Sequence, residues 1–304
     1  MVISDQMRGQ PWVYFYVLVL LPFIITKNEK SITNYLRILL VGIYLWSGLH
    51  KFNSNFQNFI FESMLVDGFG ITNSEILFQL KSFAFTIPLI EIGFAILLLF
   101  QKTRKIGVLL GISSHIFILY YLIFGLQGNW VVVPWNIFLI FSLLYLFYFR
   151  KENMKFPSSK SLSTILSIVL LLPVGFLFEK VDQRLAFSLY DGKIKSLYQL
   201  NSGSDTHYEI HQELLSEGSI MDYNLWSYNE LHVPFYPEKR FIKQIKKQRK
   251  SNFVLLITDF PLWPRVLKGH YKTEEELKNY QKVDSLELIK FNSSVLFPKY
   301  TLVK

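Results

Sequence analysis

The sequence predicts an all-α membrane protein, with a bundle of about six transmembrane helices followed by a smaller extracytoplasmic α+β domain. Two observations lead to this prediction. Of the 304 residues, 51% are hydrophobic and only 18% are charged, whereas about a quarter of the residues in soluble domains are charged. The charges are also uneven, with 20 in residues 1–178 and 35 in residues 179–304. We therefore predict a membrane domain over 1–178 and an extracytoplasmic domain over 179–304.

Six apolar stretches precede this boundary. They lie at about residues 11–26, 33–50, 83–100, 106–126, 130–149 and 162–178. Several reach the ~17–25 residues that a helix needs to cross the hydrocarbon of a bilayer. The first and last are short enough to be tilted, interfacial or only partly inserted. Six spans are predicted, with five as the alternative.

The basic residues predict the side of the membrane on which each loop lies. Ten of the thirteen Lys and Arg residues before residue 179 fall in alternate loops, and loops rich in these residues stay in the cytoplasm. The sequence thus predicts a multi-pass protein of a bacterial-type inner (cytoplasmic) membrane, with its carboxyl-terminal domain outside the cytoplasm. The ten residues are Lys27, Lys30, Arg37, Lys102, Arg104, Lys105, Arg150, Lys151, Lys155 and Lys160.

The region after residue 178 has the features of a mixed α+β domain. Phe253–Phe260 has the apolar, β-branched character of a buried strand. The segments 241–250 and 273–282 suit amphipathic helices. His207 and His211 could share a helix face, but no third metal ligand accompanies them, and the chain contains no cysteine. We therefore predict no metal site.

Four polar residues interrupt the apolar stretches at a similar depth. They are Lys51, at the end of the second stretch, and Glu91, His115 and Asn136, one in each of three later stretches. A carboxylate at the centre of a bilayer costs about 2.5–3.5 kcal/mol, so Glu91 needs protein, water or a cation beside it. Taken singly, Lys51 also fits a lysine that reaches the headgroups, and His115 fits a hydrogen-bonded structural histidine. Together the four predict a pocket for an apolar molecule with polar ends, such as a quinone or hydroquinone.

Three motifs follow one another along these stretches. They are WSGLHKFN at residues 46–53, EIGF at 91–94 and SH at 114–115. In this order they resemble the horizontally transferred transmembrane domain family, which includes vitamin K-dependent γ-glutamyl carboxylase. The order of a Gly-x-x-Lys helix end and a following helix with a glutamate also resembles the smaller DoxX-like membrane proteins.

The first resemblance implies a quinol-dependent enzyme of the carboxylase, epoxidase or lyase type. In that chemistry Lys51 is the base that removes a proton from a quinol hydroxyl, and His115 and Glu91 are further catalytic residues. The residues expected to bind the quinone are Trp46, His50, Trp135 and Asn136.

Two alternatives to this enzyme remain. One is a non-catalytic DoxX-like membrane subunit that assists or anchors an exported protein, although the absence of cysteine argues against the redox-partner branch of the DoxX-like proteins. The other, a small-solute carrier, is disfavoured because the two halves show no internal repeat. The expected partners are the lipid bilayer, a quinone-like ligand and an exported protein, with no nucleic acid.

Overall fold

The computed structural model describes residues 10–53, 56–125, 130, 132–177 and 181–188, together with three strands nearer the carboxyl terminus. The helices in these residues are α1 (Pro11–Ile25), α2 (Glu29–His50), α3 (Ser74–Lys81), α4 (Thr86–Leu99), α5 (Arg104–Tyr120), α6 (Val133–Leu143) and α7 (Lys160–Leu177). Four segments are π-helical, at Phe56–Phe61, Met64–Gly68, Tyr121–Gly125 and Leu144–Phe149. The last two continue α5 and α6.

Residues suited to helix starts stand at the beginning of four helices. The Asn28 side chain accepts a hydrogen bond from a backbone N–H in the first turn of α2, and Asn73 does the same for α3. These bonds satisfy N–H groups that have no partner within the helix. Pro11 and Pro134 lie in the first turn of α1 and α6, where a missing N–H costs no hydrogen bond.

Three of the helices in the described residues are long and apolar enough to cross a membrane. Glu29–His50 and Arg104–Gly125 have 22 residues each, and Ser74–Leu99, which joins α3 to α4, has 26. The other apolar helices, Pro11–Ile25, Val133–Phe149 and Lys160–Phe176, are shorter, at 10–17 residues. The prediction of transmembrane helices is therefore confirmed. The count of six stays a prediction, because a helix needs about 20 residues to span the hydrocarbon.

The central helix of the bundle is α2. It packs against α1, α4, α7 and the π-helical end of α6, and α5 packs between α4 and α6. Its side chains Tyr35 and Leu39 are fully buried. The surrounding helices expose large apolar side chains, among them Leu89, Leu109 and Phe141. This distribution is expected of a bundle whose outer surface contacts lipid rather than water.

The three basic loops lie at one end of the bundle, as their alternation in the sequence predicts. The Lys155 backbone N–H donates to Asn34 Oδ1 at 3.3 Å, which joins the loop after α6 to the start of α2. Gln101 Nε2 donates to the Lys151 carbonyl at 2.9 Å, which joins that loop to the turn before α5. The side of the membrane that this end faces stays a prediction.

Two residues counted as loop charges are buried. Arg37 of α2 donates to the carbonyls of Leu146, Arg150 and Glu152 at 2.7, 2.6 and 2.9 Å, and Arg104 donates to the same Glu152 carbonyl at 3.1 Å. The last carbonyls of a helix have no partner within it. Arg37 satisfies such a carbonyl at Leu146, and both arginines bind carbonyls just beyond the helix, which joins α2 and α5 to the 150–152 turn.

A three-stranded antiparallel sheet belongs to a second compact unit of the chain. Its strands are β1 (Lys195–Leu200), β2 (Ile220–Asp222) and β3 (Asn252–Ile257), with β1 in the centre. Tyr198 of β1 is opposite Asp222 of β2 and Val254 of β3. Of the predicted strand at residues 253–260, positions 253–257 lie in β3, whereas β1 and β2 were not predicted.

The other features predicted for this part of the chain lie outside the described residues. They are the helices at 241–250 and 273–282 and the histidines at 207 and 211. The α+β class of the second domain and the boundary at residues 178 and 179 therefore stay predictions.

The contact between α4 and α5 depends on a glycine. A Cβ atom at Gly107 would lie 3.0 Å from both Leu98 N and Phe94 O, which are backbone atoms of α4. We expect Gly107→Ala to push the helices apart and to lower the free energy of unfolding by about 1–3 kcal/mol. The measurement is unfolding of the purified protein in mixed micelles by dodecyl sulfate, followed by circular dichroism.

Gly93→Ala is the matched control for this substitution. A Cβ atom at Gly93 meets no atom within 4 Å, and alanine favours the helix more than glycine does. We expect this variant to be at least as stable as the unsubstituted protein. Equal loss of stability in the two variants would contradict the packing of α5 on α4.

Candidate functional site

Lys51 and Glu91 form a largely buried ion pair between α2 and α4. Lys51 Nζ donates to Glu91 Oε2 at 2.5 Å, to Ser47 Oγ at 2.7 Å and to the Ser47 carbonyl at 3.4 Å. The lysine and glutamate side chains are 11% and 17% exposed. An ammonium group has three protons to donate. Two of the contacts are short hydrogen bonds, to Glu91 and to the Ser47 hydroxyl, and the third, to the Ser47 carbonyl, is long.

A glycine allows the two helices to approach at this ion pair. A Cβ atom at Gly48 would lie 2.7 Å from Ile92 Cγ1 and 3.2 Å from the Pro88 carbonyl. Ser47, Gly48 and Lys51 share one face of α2, because residues three and four apart are neighbours on a helix surface. The Gly-x-x-Lys motif therefore marks a close helix contact followed by an ion pair.

A second polar network lies between α2, α5 and α6. Tyr44 Oη is 2.8 Å from His115 Nε2, and His115 Nδ1 is 2.9 Å from Asn136 Oδ1. Asn136 Nδ2 donates to the Val132 carbonyl at 3.0 Å. All three side chains are buried. The network links three helices, and each donor in it faces an acceptor.

The Val132 carbonyl, at one end of this network, determines which group donates and which accepts in each hydrogen bond. The Val132 carbonyl can only accept, so it receives the amide N–H of Asn136, and Asn136 Oδ1 faces the imidazole. His115 then donates from Nδ1. In the neutral ring Nε2 is an acceptor, and it receives the hydroxyl proton of Tyr44. We therefore assign the Nδ1–H tautomer to His115.

The two networks are neighbours. Tyr44 precedes Lys51 by seven residues on the same face of α2, and its ring packs on Phe94 at 4.7 Å. Phe94 lies about one helical turn after Glu91 on α4. The structure thus brings the four predicted polar residues together as two adjacent pairs. Sequence analysis missed Tyr44, although its heptad spacing from Lys51 was visible.

Two residues predicted to bind a quinone lie on another face of α2. Trp46 Nε1 donates to the Leu170 carbonyl of α7 at 2.8 Å, and its ring stacks on His50 at 5.6 Å. His50 Nε2 lies 3.1 Å from the Ala186 carbonyl. The next residue, Phe187, has φ of 55°, which is uncommon for a bulky side chain. This side of α2 therefore holds α7 and the segment 182–188.

Trp135, the third residue predicted to bind a quinone, lies in an aromatic cluster with side chains of α1. Its ring meets Phe15 at 4.7 Å and Tyr16 at 5.7 Å, both edge to face. At 3.6 residues per turn, His50 and Trp46 point about 100° and about 140° away from Lys51. The predicted quinone-binding residues therefore have different neighbours, and a bound quinone stays a prediction.

Among the described residues, no group of three or more His, Asp or Glu could hold a metal ion.

Residues 29–134 match the profile of a known protein family. The family is described as methylamine utilisation protein MauE. The match covers 106 of the 304 residues, from the start of α2 to the start of α6, and includes Lys51, Glu91 and His115. Neither a curated protein nor a solved structure matches the chain. The chain is a membrane protein with transmembrane helices that is similar to the MauE family over about a third of its length.

This match overturns the resemblance to the horizontally transferred transmembrane domain family and to DoxX-like proteins. The motifs behind that resemblance have a local physical explanation. Gly48 allows α4 to approach, and Lys51 and Glu91 then neutralise each other between the helices. Small residues and paired polar side chains are common where membrane helices pack closely, whatever their family. The motifs therefore did not identify the family.

The ion pair predicts a specific pattern of mutant stabilities. Lys51→Met and Glu91→Gln each leave one buried group without its partner, and we expect each to lower the free energy of unfolding by about 3–5 kcal/mol. The double variant Lys51→Met/Glu91→Gln should lose less free energy of unfolding than the two single variants lose together. This double-mutant cycle is measured by unfolding in dodecyl sulfate.

Lys81 and Glu62 supply the control cycle for this measurement. Their ion pair is more exposed, at 23% and 35%, and such pairs contribute about 0–1 kcal/mol. Additive losses at Lys51 and Glu91, with no coupling above that of the control pair, would contradict the buried ion pair.

The hydroxyl of Tyr44 gives a second test. Tyr44→Phe keeps the ring on Phe94 but leaves His115 Nε2 without its donor, and we expect a loss of about 1–3 kcal/mol. Tyr120→Phe is the matched control, since Tyr120 is exposed and its hydroxyl makes only a 3.4 Å contact with the Gly68 carbonyl. Thermal unfolding in detergent should show a lower midpoint for Tyr44→Phe than for Tyr120→Phe. The same midpoint for both variants would rule out the network.

Proposed function

We propose that the protein is a non-catalytic membrane accessory subunit that assists or anchors an exported protein. The observation that carries this proposal is that the Lys51 ammonium is bound by Glu91 and by the Ser47 hydroxyl. A lysine that acts as a base needs a lone pair directed at its substrate. Here the lysine is instead paired with a carboxylate and a hydroxyl of the same chain.

The histidine supports the same proposal. Both ring nitrogens of His115 have partners, Tyr44 at Nε2 and Asn136 at Nδ1. An imidazole that transfers protons needs one nitrogen within reach of the substrate. The arrangement instead suits a ring that holds three helices in fixed positions.

The proposed role requires a rigid bundle, and the contacts of α2 supply one. Side chains of α2 are hydrogen-bonded or ion-paired to α4, α5 and α7. Such contacts fix the rotation of each helix as well as its distance. The similarity to the family described as methylamine utilisation protein MauE supports a partner that acts in the use of methylamine.

Deletion of the protein tests this function. We expect loss of the chain to lower the amount of a particular exported protein during growth on methylamine, measured by quantitative mass spectrometry of the exported fraction. That protein should crosslink to the wild-type chain in native membranes. Unchanged amounts of every exported protein in the deletion strain would refute the proposal.

The double substitution Lys51→Met/Glu91→Met separates a structural from a catalytic role. Replacing a buried ion pair by apolar residues of similar size is often neutral or stabilising. We therefore expect this variant to accumulate normally and to restore the exported protein. The single Lys51→Met variant, which leaves Glu91 without its cation, is the control for destabilisation. A double variant that is abundant yet inactive would show that the chemistry of Lys51 is needed.

A further inference from the structure

The segment 182–188 packs on the end of α2, at the residue that precedes Lys51. The Ala186 carbonyl lies 3.1 Å from His50 Nε2, and the Phe187 side chain belongs to the hydrophobic core of the bundle. Ala186 and His50 are both 0% exposed. The segment therefore forms part of the cover over His50.

The hydrogen bonds within this segment make it a self-contained turn. The Ala186 N–H is 3.2 Å from the carbonyls of both Asp182 and Gln183, and the Ser188 N–H donates to the Gln183 carbonyl at 3.4 Å. The Arg184 N–H donates to Asp182 Oδ1 at 3.1 Å. These bonds join residues of the segment to one another, so they are kept when the segment leaves the bundle. The segment can therefore move as one unit.

Phe187 holds backbone strain in the packed segment. Its φ of 55° lies in the left-handed region, which is costly for a residue with a bulky side chain. The side chain is 4% exposed, and burial of the ring in the core keeps the backbone in this conformation. Once released from the core, the residue returns to a negative φ. The strain therefore favours release of the segment, whereas burial of the ring opposes it.

We propose that the segment 182–188 is a latch, which opens as a unit while the helices of the bundle stay folded. Proteins open locally in such units at a lower free energy than that of global unfolding. Opening withdraws the Phe187 ring and the Ala186 carbonyl, and so uncovers His50. The second compact unit begins at Lys193, five residues after the latch. The latch therefore controls the access of water to His50 and the length of free chain before that unit.

The chain contains no cysteine, so a single introduced thiol tests the latch in the full-length protein in detergent micelles. Ala186→Cys places the thiol in the latch and Ala95→Cys places it in α4, and both alanines are 0% exposed. We expect a charged maleimide to label Ala186→Cys at least about tenfold faster than Ala95→Cys, because a thiol in α4 is reached only when the bundle unfolds. Each rate is normalised to that in dodecyl sulfate. Equal normalised rates would overturn the proposal.

A matched pair of substitutions at Phe187 tests the strain. Phe187→Gly and Phe187→Ala both remove the ring, but only glycine adopts a positive φ without strain. The reporter is Ser188→Cys, which changes the size of a 4% exposed side chain very little. We expect faster labelling of this thiol in both variants than with Phe187, and labelling about fivefold slower in Phe187→Gly than in Phe187→Ala. Equal labelling in the two variants would contradict a strained latch.

Modification of histidine by diethyl pyrocarbonate, mapped by mass spectrometry, shows what the latch covers. His50 should react faster in Phe187→Ala than in the unsubstituted protein, whereas His115, which is 5% exposed in α5, should react as before. Acceleration of both histidines would show that the bundle unfolds, and no acceleration of His50 would show that the segment does not cover it. Either result overturns the proposal. If Phe187→Ala does not fold, the comparison of Ala186→Cys with Ala95→Cys decides alone.

Discussion

Hydrocarbon offers no hydrogen-bond partners, so every polar group of a membrane helix has to find its partner inside the protein. This constraint is met mainly at α2. Its polar side chains meet five different parts of the chain: Arg37 the 150–152 turn, Tyr44 α5, Trp46 α7, His50 the Ala186 carbonyl and Lys51 α4. Burial of α2 therefore fixes the positions of the elements around it.

These contacts divide α2 into two faces. Arg37, Tyr44 and Lys51 recur every seven residues and face α4, α5 and the end of α6. Trp46 and His50 lie on another side and hold α7 and the segment 182–188. A concentration of polar residues in a membrane helix is usually taken as a sign of function. In α2 the same residues have a structural explanation, because each has a partner in a neighbouring element.

The sequence predicted a common depth for the polar residues, but it did not predict their partners. Hydropathy placed Lys51, Glu91, His115 and Asn136 at a common level, but which of them pair depends on the rotation of each helix. Tyr44 was overlooked because a tyrosine does not interrupt an apolar stretch, and its hydroxyl matters only opposite an acceptor. Arg37 was assigned to a loop because its charge suggests a helix end, whereas it is fully buried in α2.

The central claim is that the Lys51 ammonium is bound to Glu91 within the membrane. Magic-angle-spinning NMR of the protein in lipid bilayers, with ¹⁵N-labelled lysine and ¹³C-labelled glutamate, measures this contact directly. We predict a strong dipolar coupling between Lys51 Nζ and the Glu91 carboxyl carbon, absent from Glu91→Gln prepared with the same labels. No coupling in the wild-type protein would contradict the claim and leave the lysine available for another role.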